Sequence, residues 1–201
     1  GTSMIATSVI SPFMVPLKVM LMAAFLIALP VVLYQVWAFV APGLYSHEKK
    51  LVLPLVISST FLFLAGVAFC YFIVFGQVFK FIQGFAPKSI TAAPDIEAYL
   101  SFVLSMFLAF GLAFEVPIAV ILLVRMGVVT IDKLKSFRGY FVVGAFVVAA
   151  IVTPPDVVSQ LALAIPMCLL YELGIIAARL FLPPGEQAEA EGEGTAVQVK
   201  E

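Results

Sequence analysis

Residues 39–50 read FVAPGLYSHEKK. They form a short polar island between two long apolar runs, residues 17–40 and 51–85. Pro42 and Gly43 interrupt the run, and His47, Glu48, Lys49 and Lys50 crowd charge into it. A bilayer core takes about 20 apolar residues as a helix. Two such runs joined by a tight charged loop therefore predict a hairpin that crosses the membrane twice. The loop is also where something water-soluble can be gripped.

Composition extends this reading to the whole chain. Of 201 residues, 63% are hydrophobic and 11% charged, against about 25% charged in an ordinary soluble domain. A soluble fold of this size could not hide so much apolar surface. The net charge of −1 comes without a basic patch, which excludes nucleic acid as a partner. Cys70 and Cys168 both sit inside apolar runs and read as core packers rather than a disulfide or metal pair. The single histidine, His47, excludes a bis-histidine haem and most zinc sites, so no metal and no cofactor are expected. Residues 1–13 lack the basic-then-apolar pattern of a signal peptide. They open on Gly1, which predicts a fragment whose upstream part is absent.

Three further runs follow, at residues 98–126, 139–152 and 157–182. The run 51–85 exceeds the bilayer thickness and is expected to tilt or project beyond it. The run 139–152 is short: its 14 residues reach about 20 Å as a helix against a core of about 30 Å. A short span with local bilayer thinning is expected there. Residues 1–182 thus read as one transmembrane domain with five spans. Lys49, Lys50, Arg125, Lys133, Lys135, Arg138 and Arg179 fall on one side, and only Lys18, Lys80 and Lys88 on the other. The positive-inside rule makes the first side cytoplasmic. Residues 1–16 then face outward, and residues 183–201, rich in Glu, Ala and Gly, form a disordered cytoplasmic tail. No internal repeat is visible, which weighs against a transporter.

Few polar residues interrupt the spans. Glu115 lies mid-span, where a carboxylate costs about 2.5–3.5 kcal/mol on insertion scales unless neutral, paired or hydrated. Ser101, Ser105, Leu108, Leu112 and Glu115 step by four and three, which places them on one helical face. That face is expected to point at protein or a water-filled hollow. Glu115 is either a helix–helix contact with a protonated carboxyl or part of a binding groove or proton site. Pro30, Pro117 and Pro166 sit inside spans and predict bent helices around a concave face. Asp156 follows two prolines and reads as the N-cap of the last helix. Gln160 shares its face at the outer rim and can bond either to this chain or to a partner helix. Glu48 reads as a capping residue in a solvated turn, or as a receptor for an arginine, whose planar fork suits a carboxylate.

Taken together, ALPVVLYQVWAFVAPGLYSHEKK, FVLSMFLAFGLAFEVPIAV and FVVGAFVVAAIVTPPDVVSQ closely resemble the TatC family, the signal-peptide receptor of the twin-arginine translocase. The resemblance runs from about Met4 to Leu182. It implies an all-α, glove-shaped membrane helix bundle with a concave face. The full-length family has six helices, and five are present here because the N-terminal segment and the first helix are missing. It implies a protein of the bacterial inner membrane that is not an enzyme. Such a protein binds twin-arginine signal peptides of folded precursors and moves them across the membrane on the proton-motive force. The implied partners are TatA-type and TatB-type single-span subunits, in a homo-oligomeric receptor complex. By motif match, Glu48 and Phe39 belong to the signal-peptide site and Glu115 to the intramembrane groove. Asp156 and Gln160 lie where partner helices dock. The rival is a proton- or solute-coupled transporter using Glu115. An intramembrane hydrolase finds no Ser–His pair, because His47 lies in a loop.

Overall fold

The computed structural model describes residues 5–40, 49–85, 95–153 and 157–181. Almost everything in it is helix. Helix α1 spans Ser11–Val40 and α2 Lys49–Phe69. A π-helical turn, Cys70–Val74, passes directly into α3, Phe75–Phe85. Helix α4 covers Ile96–Phe114 and α5 Val116–Arg125. The short α6, Ile131–Ser136, leads to α7, Arg138–Val152, and α8, Val157–Phe181.

Among the described residues, four stretches are long and apolar enough to cross a bilayer: Ser11–Val40, Val52–Lys80, Ile96–Arg125 and Val157–Leu180. The remaining apolar run, fourth in chain order, is α7, and its 15 residues reach about 22 Å, less than the thickness of a bilayer core. Two long runs prove to be composite. The second is α2, the π turn and α3 end to end, and the third is α4 and α5 joined at Glu115. Helix α1 starts six residues before the apolar run that predicts it, because Ser11, Pro12 and Pro16 are absorbed into its first turns. Pro12 is tolerated in the first turn, where a helix has no donor to lose, whereas Pro16 lies inside the helix. The prolines divide by effect. Pro30 and Pro166 lie inside unbroken helices, whereas Pro117 coincides with the α4–α5 break.

The core has three parts. Leu29, Leu33 and Trp37 of α1 pack on Phe63 of α2 and on Ile118 and Leu122 of α5. Cys70 and Val74 of the π turn, Phe75 and Val78 of α3, and Met106 and Phe110 of α4 pack with Leu163 and Ala164 of α8. Val120 and Val124 of α5 meet Ile131 and Leu134 of α6 and Tyr171 and Ile175 of α8. The Tyr171 hydroxyl donates to the Leu134 carbonyl at 2.8 Å, and its ring stacks on Phe141. Cys70 is fully buried in the second cluster, as a core packer.

The α2–α4 crossing is unusually close. A Cβ on Gly111 would overlap the Phe63 ring, and one on Gly66 would press on the Phe110 carbonyl. Small residues let membrane helices approach where no hydrophobic driving force separates protein from lipid.

The N-terminal end of α1 is tied to the start of α4. Ser11 Oγ donates to Glu97 Oε2 at 2.7 Å. Lys18 Nζ donates to Glu97 Oε1 and to Ser101 Oγ, each at 2.9 Å. The Ile96 amide donates to the Ile5 carbonyl at 3.0 Å. Asp95 caps α4 through the Ala98 amide and also accepts from the Thr7 amide, each at 3.3 Å. Desolvation pushes the Asp95 carboxyl up, but these amide bonds outweigh it and hold the group below its usual range.

Candidate functional site

Glu115 sits at the joint between α4 and α5. Pro117 lacks an N–H, and its ring crowds the carbonyl four residues back, which weakens the helix here, and unlike at Pro30 and Pro166 the helix breaks. The chain ends α4 at Phe114, takes Glu115 as a single-residue hinge, and restarts with Pro117 in the first turn of α5. The Glu115 amide donates to Leu112 O at 3.1 Å, and its carbonyl accepts from the Ala119 amide at 3.0 Å.

Ser105, Leu108 and Leu112 are exposed, while Glu115 is only 7% exposed. The expected inward orientation of that face therefore fails at Ser105, Leu108 and Leu112 and holds at Glu115. The buried residues of α4 are Met106, Phe110, Gly111 and Ala113, and Glu115 lies one turn after Gly111 on that buried side. Both carboxyl oxygens are buried and find no hydrogen-bond partner among the described residues. The nearby Ser59 hydroxyl, wholly buried in α2, lies beside the carboxyl without meeting hydrogen-bonding geometry. Ser59 Oγ accepts the Trp37 indole N–H at 2.8 Å. Three spans thus bring a carboxyl, a hydroxyl and an indole N–H to one buried point.

Phe39 lies two residues beyond Trp37, in the last turn of α1. Trp37 is buried, but Phe39 is 87% exposed. Glu48 and Asp156 lie outside the described residues. Gln160 is half-buried, and its Nε2 donates to the Phe146 carbonyl of α7 at 3.2 Å. One amide proton is therefore used inside this chain. Nearby, Thr153 ends α7 with its hydroxyl on the Ala149 carbonyl at 2.7 Å.

Sequence reasoning singles out Glu115 by its charge but misses Ser59 and Trp37. A serine among apolar residues is an ordinary helix residue until a neighbouring helix is placed against it. The one tryptophan of the chain is a signal in hindsight, since a buried indole N–H needs an acceptor. Lys18 and Glu97 are also missed as a pair, because 79 residues separate them.

Among the described residues no cluster of His, Cys, Asp or Glu could hold a metal ion. The comparisons with known proteins agree with one another. The family model described as Sec-independent protein translocase protein (TatC) matches residues 1–166. The chain is 54% identical over 200 residues to the Sec-independent protein translocase protein TatC of Halothiobacillus neapolitanus, covering 98% of this chain and 55% of that protein. It thus spans about half the length of that relative. It is 51% identical over 188 residues to the Haemophilus influenzae protein of the same name, covering 94% of this chain and 73% of the relative. With the Escherichia coli K12 protein of that name it is 49% identical over 189 residues, with the same coverage. A solved structure described as the crystal structure of the twin arginine translocase receptor TatC superposes with a TM-score of 0.77 at 44% identity, covering 89% of this chain and 79% of that one.

Proposed function

Since the chain belongs to the TatC family of Sec-independent protein translocase proteins, we propose that it is the receptor that binds twin-arginine signal peptides and passes their folded cargo across the bacterial inner membrane. The cationic pair docks at Glu48, with Phe39 packing beside it. The apolar part of the peptide then enters the groove that holds Glu115. Single-span partners of the TatA and TatB type pack near Asp156 and Gln160, and the proton-motive force drives the passage. The loop that carries Glu48 and the basic residues Lys133, Lys135 and Arg138 face the cytoplasm.

The observation that supports this reading best is Phe39. A phenylalanine 87% exposed, at the end of a span and adjacent in sequence to the charged stretch 41–50, offers an apolar shelf for a bound peptide. An exposed carboxylate–arginine pair contributes only about 0–1 kcal/mol, so Glu48 alone does not hold a peptide tightly. A bidentate contact, a second carboxylate from the upstream segment and burial of the apolar stretch add to it. The proposal assigns Glu115 to the groove rather than to carrying a solute. No charged side chain among the described residues pairs with it to form a relay.

In the full-length protein, Glu48→Ala should stop export of a twin-arginine precursor while membrane insertion stays normal. Unimpaired export by Glu48→Ala would remove Glu48 from the site.

A further inference from the structure

Three consecutive hydroxyls in α2 dispose of their protons differently. Ser58 Oγ donates to the Leu55 carbonyl at 2.9 Å, and Thr60 Oγ1 donates to the Val56 carbonyl at 2.8 Å. Both bond back to their own helix, as such residues commonly do. Ser59 does not. Its oxygen accepts the Trp37 indole N–H at 2.8 Å, and no described acceptor takes its own proton.

A serine hydroxyl has one proton and two lone pairs. Trp37 occupies one lone pair, so the proton must point away from the indole. Beside it lies the Glu115 carboxyl, whose two oxygens lack a donor among the described residues. The three groups are 6%, 0% and 7% exposed for Trp37, Ser59 and Glu115. A buried acceptor without a donor is costly, and a small shift that brings the Ser59 hydroxyl onto one carboxyl oxygen lowers that cost. The packing holds them at one level. Phe63, one turn after Ser59, sits in a cluster with Trp37 and with Ile118, which lies three residues after Glu115.

We propose that Ser59 and Trp37 are positioning residues for Glu115. The indole N–H fixes the Ser59 oxygen, and the Ser59 proton is presented to the carboxyl. The carboxyl is thereby held toward α2 and the groove wall. Trp37 stands two residues before Phe39, so the same contacts join the peptide-docking end of α1 to the intramembrane carboxyl. That last link rests on the function proposed above, whereas the Trp37–Ser59–Glu115 contact does not.

Trp37 is the single tryptophan of the chain, so its fluorescence reports on its own N–H. With the chain in lipid nanodiscs, Glu115→Gln should shift the Trp37 emission maximum when Ser59 is present and leave it unmoved in a Ser59→Ala background. Ser59→Thr, which keeps the hydroxyl, should restore the shift. Equal shifts in both backgrounds, or none in either, overturn the proposal. Should Ser59→Ala fail to fold, Ser59→Cys keeps the volume and weakens the donor. The infrared band of the Glu115 carboxyl, identified by its loss in Glu115→Gln, should then move, and an unmoved band overturns the proposal. In the full-length protein, Ser59→Ala should lower export severalfold and Ser59→Thr should not. Normal export by Ser59→Ala, with the emission result as expected, keeps the contact and overturns its link to peptide docking.

Discussion

Glu97 shows how a single side chain can carry the end of a bundle. One carboxylate oxygen takes the Ser11 hydroxyl and the other takes Lys18. The two partners differ in exposure, since Ser11 is fully buried while the Lys18 side chain is 34% exposed. Removing the carboxylate therefore strands a buried hydroxyl, which costs about 1–3 kcal/mol. Removing the lysine leaves Ser11 satisfied and loses a half-exposed ion pair worth about 0–1 kcal/mol. Glu97→Ala should lower the denaturant midpoint in detergent more than Lys18→Ala does. The reverse order would show that the lysine, not the serine, anchors α1 to α4. At this scale the sequence is only partly legible. Glu115 announces itself as a charge in an apolar run. Glu97 and Ser59 do not, because their partners are 79 and 22 residues away and only tertiary packing brings them close.

At the scale of elements, the apolar runs predict the spans because hydrophobic length is a direct physical requirement of the bilayer. What they conceal is continuity and phase. The π turn at Cys70–Val74 hides inside one run, since it replaces one apolar turn with another. The break at Glu115 hides inside another, and the face drawn by steps of three and four turns outward at Ser105, Leu108 and Leu112 while Glu115 is buried. The α2–α4 crossing is legible in its glycines only once the helices are paired. Gly111 admits the Phe63 ring where any side chain would collide with it. Gly111→Ala should destabilise the bundle by about 1–3 kcal/mol through overpacking. Phe63→Leu in the same chain should recover part of that loss, a coupling expected of residues in contact. A double variant that is no better than the sum of the two singles would mean that the helices part rather than the ring moving aside. Chemical denaturation monitored by circular dichroism measures each variant.

Across the whole molecule, α8 touches most of the other helices yet keeps one side bare. Leu163, Ala164, Ile175 and Ala178 are buried. Leu161, Ile165, Leu169, Leu173, Ile176 and Leu180 are exposed and recur every three or four residues. They form a continuous apolar stripe that begins one residue after Gln160. Gln160 itself gives a proton to Phe146, so it holds α7 against α8 and stands at the head of the stripe. If a single-span partner packs at this end, as proposed, its helix must run along the stripe, because the opposite side of α8 is filled by α5 and the rest of the core. A photo-cross-linking residue placed at Leu161, Ile165 or Leu169 of the full-length protein should then capture the partner's transmembrane segment, and one at Leu163 or Ala164 should not. Equal capture along the stripe would indicate a partner lying parallel to all of α8. Capture of lipid alone at every exposed position would remove partner docking from this face and leave Gln160 as an internal brace between two helices.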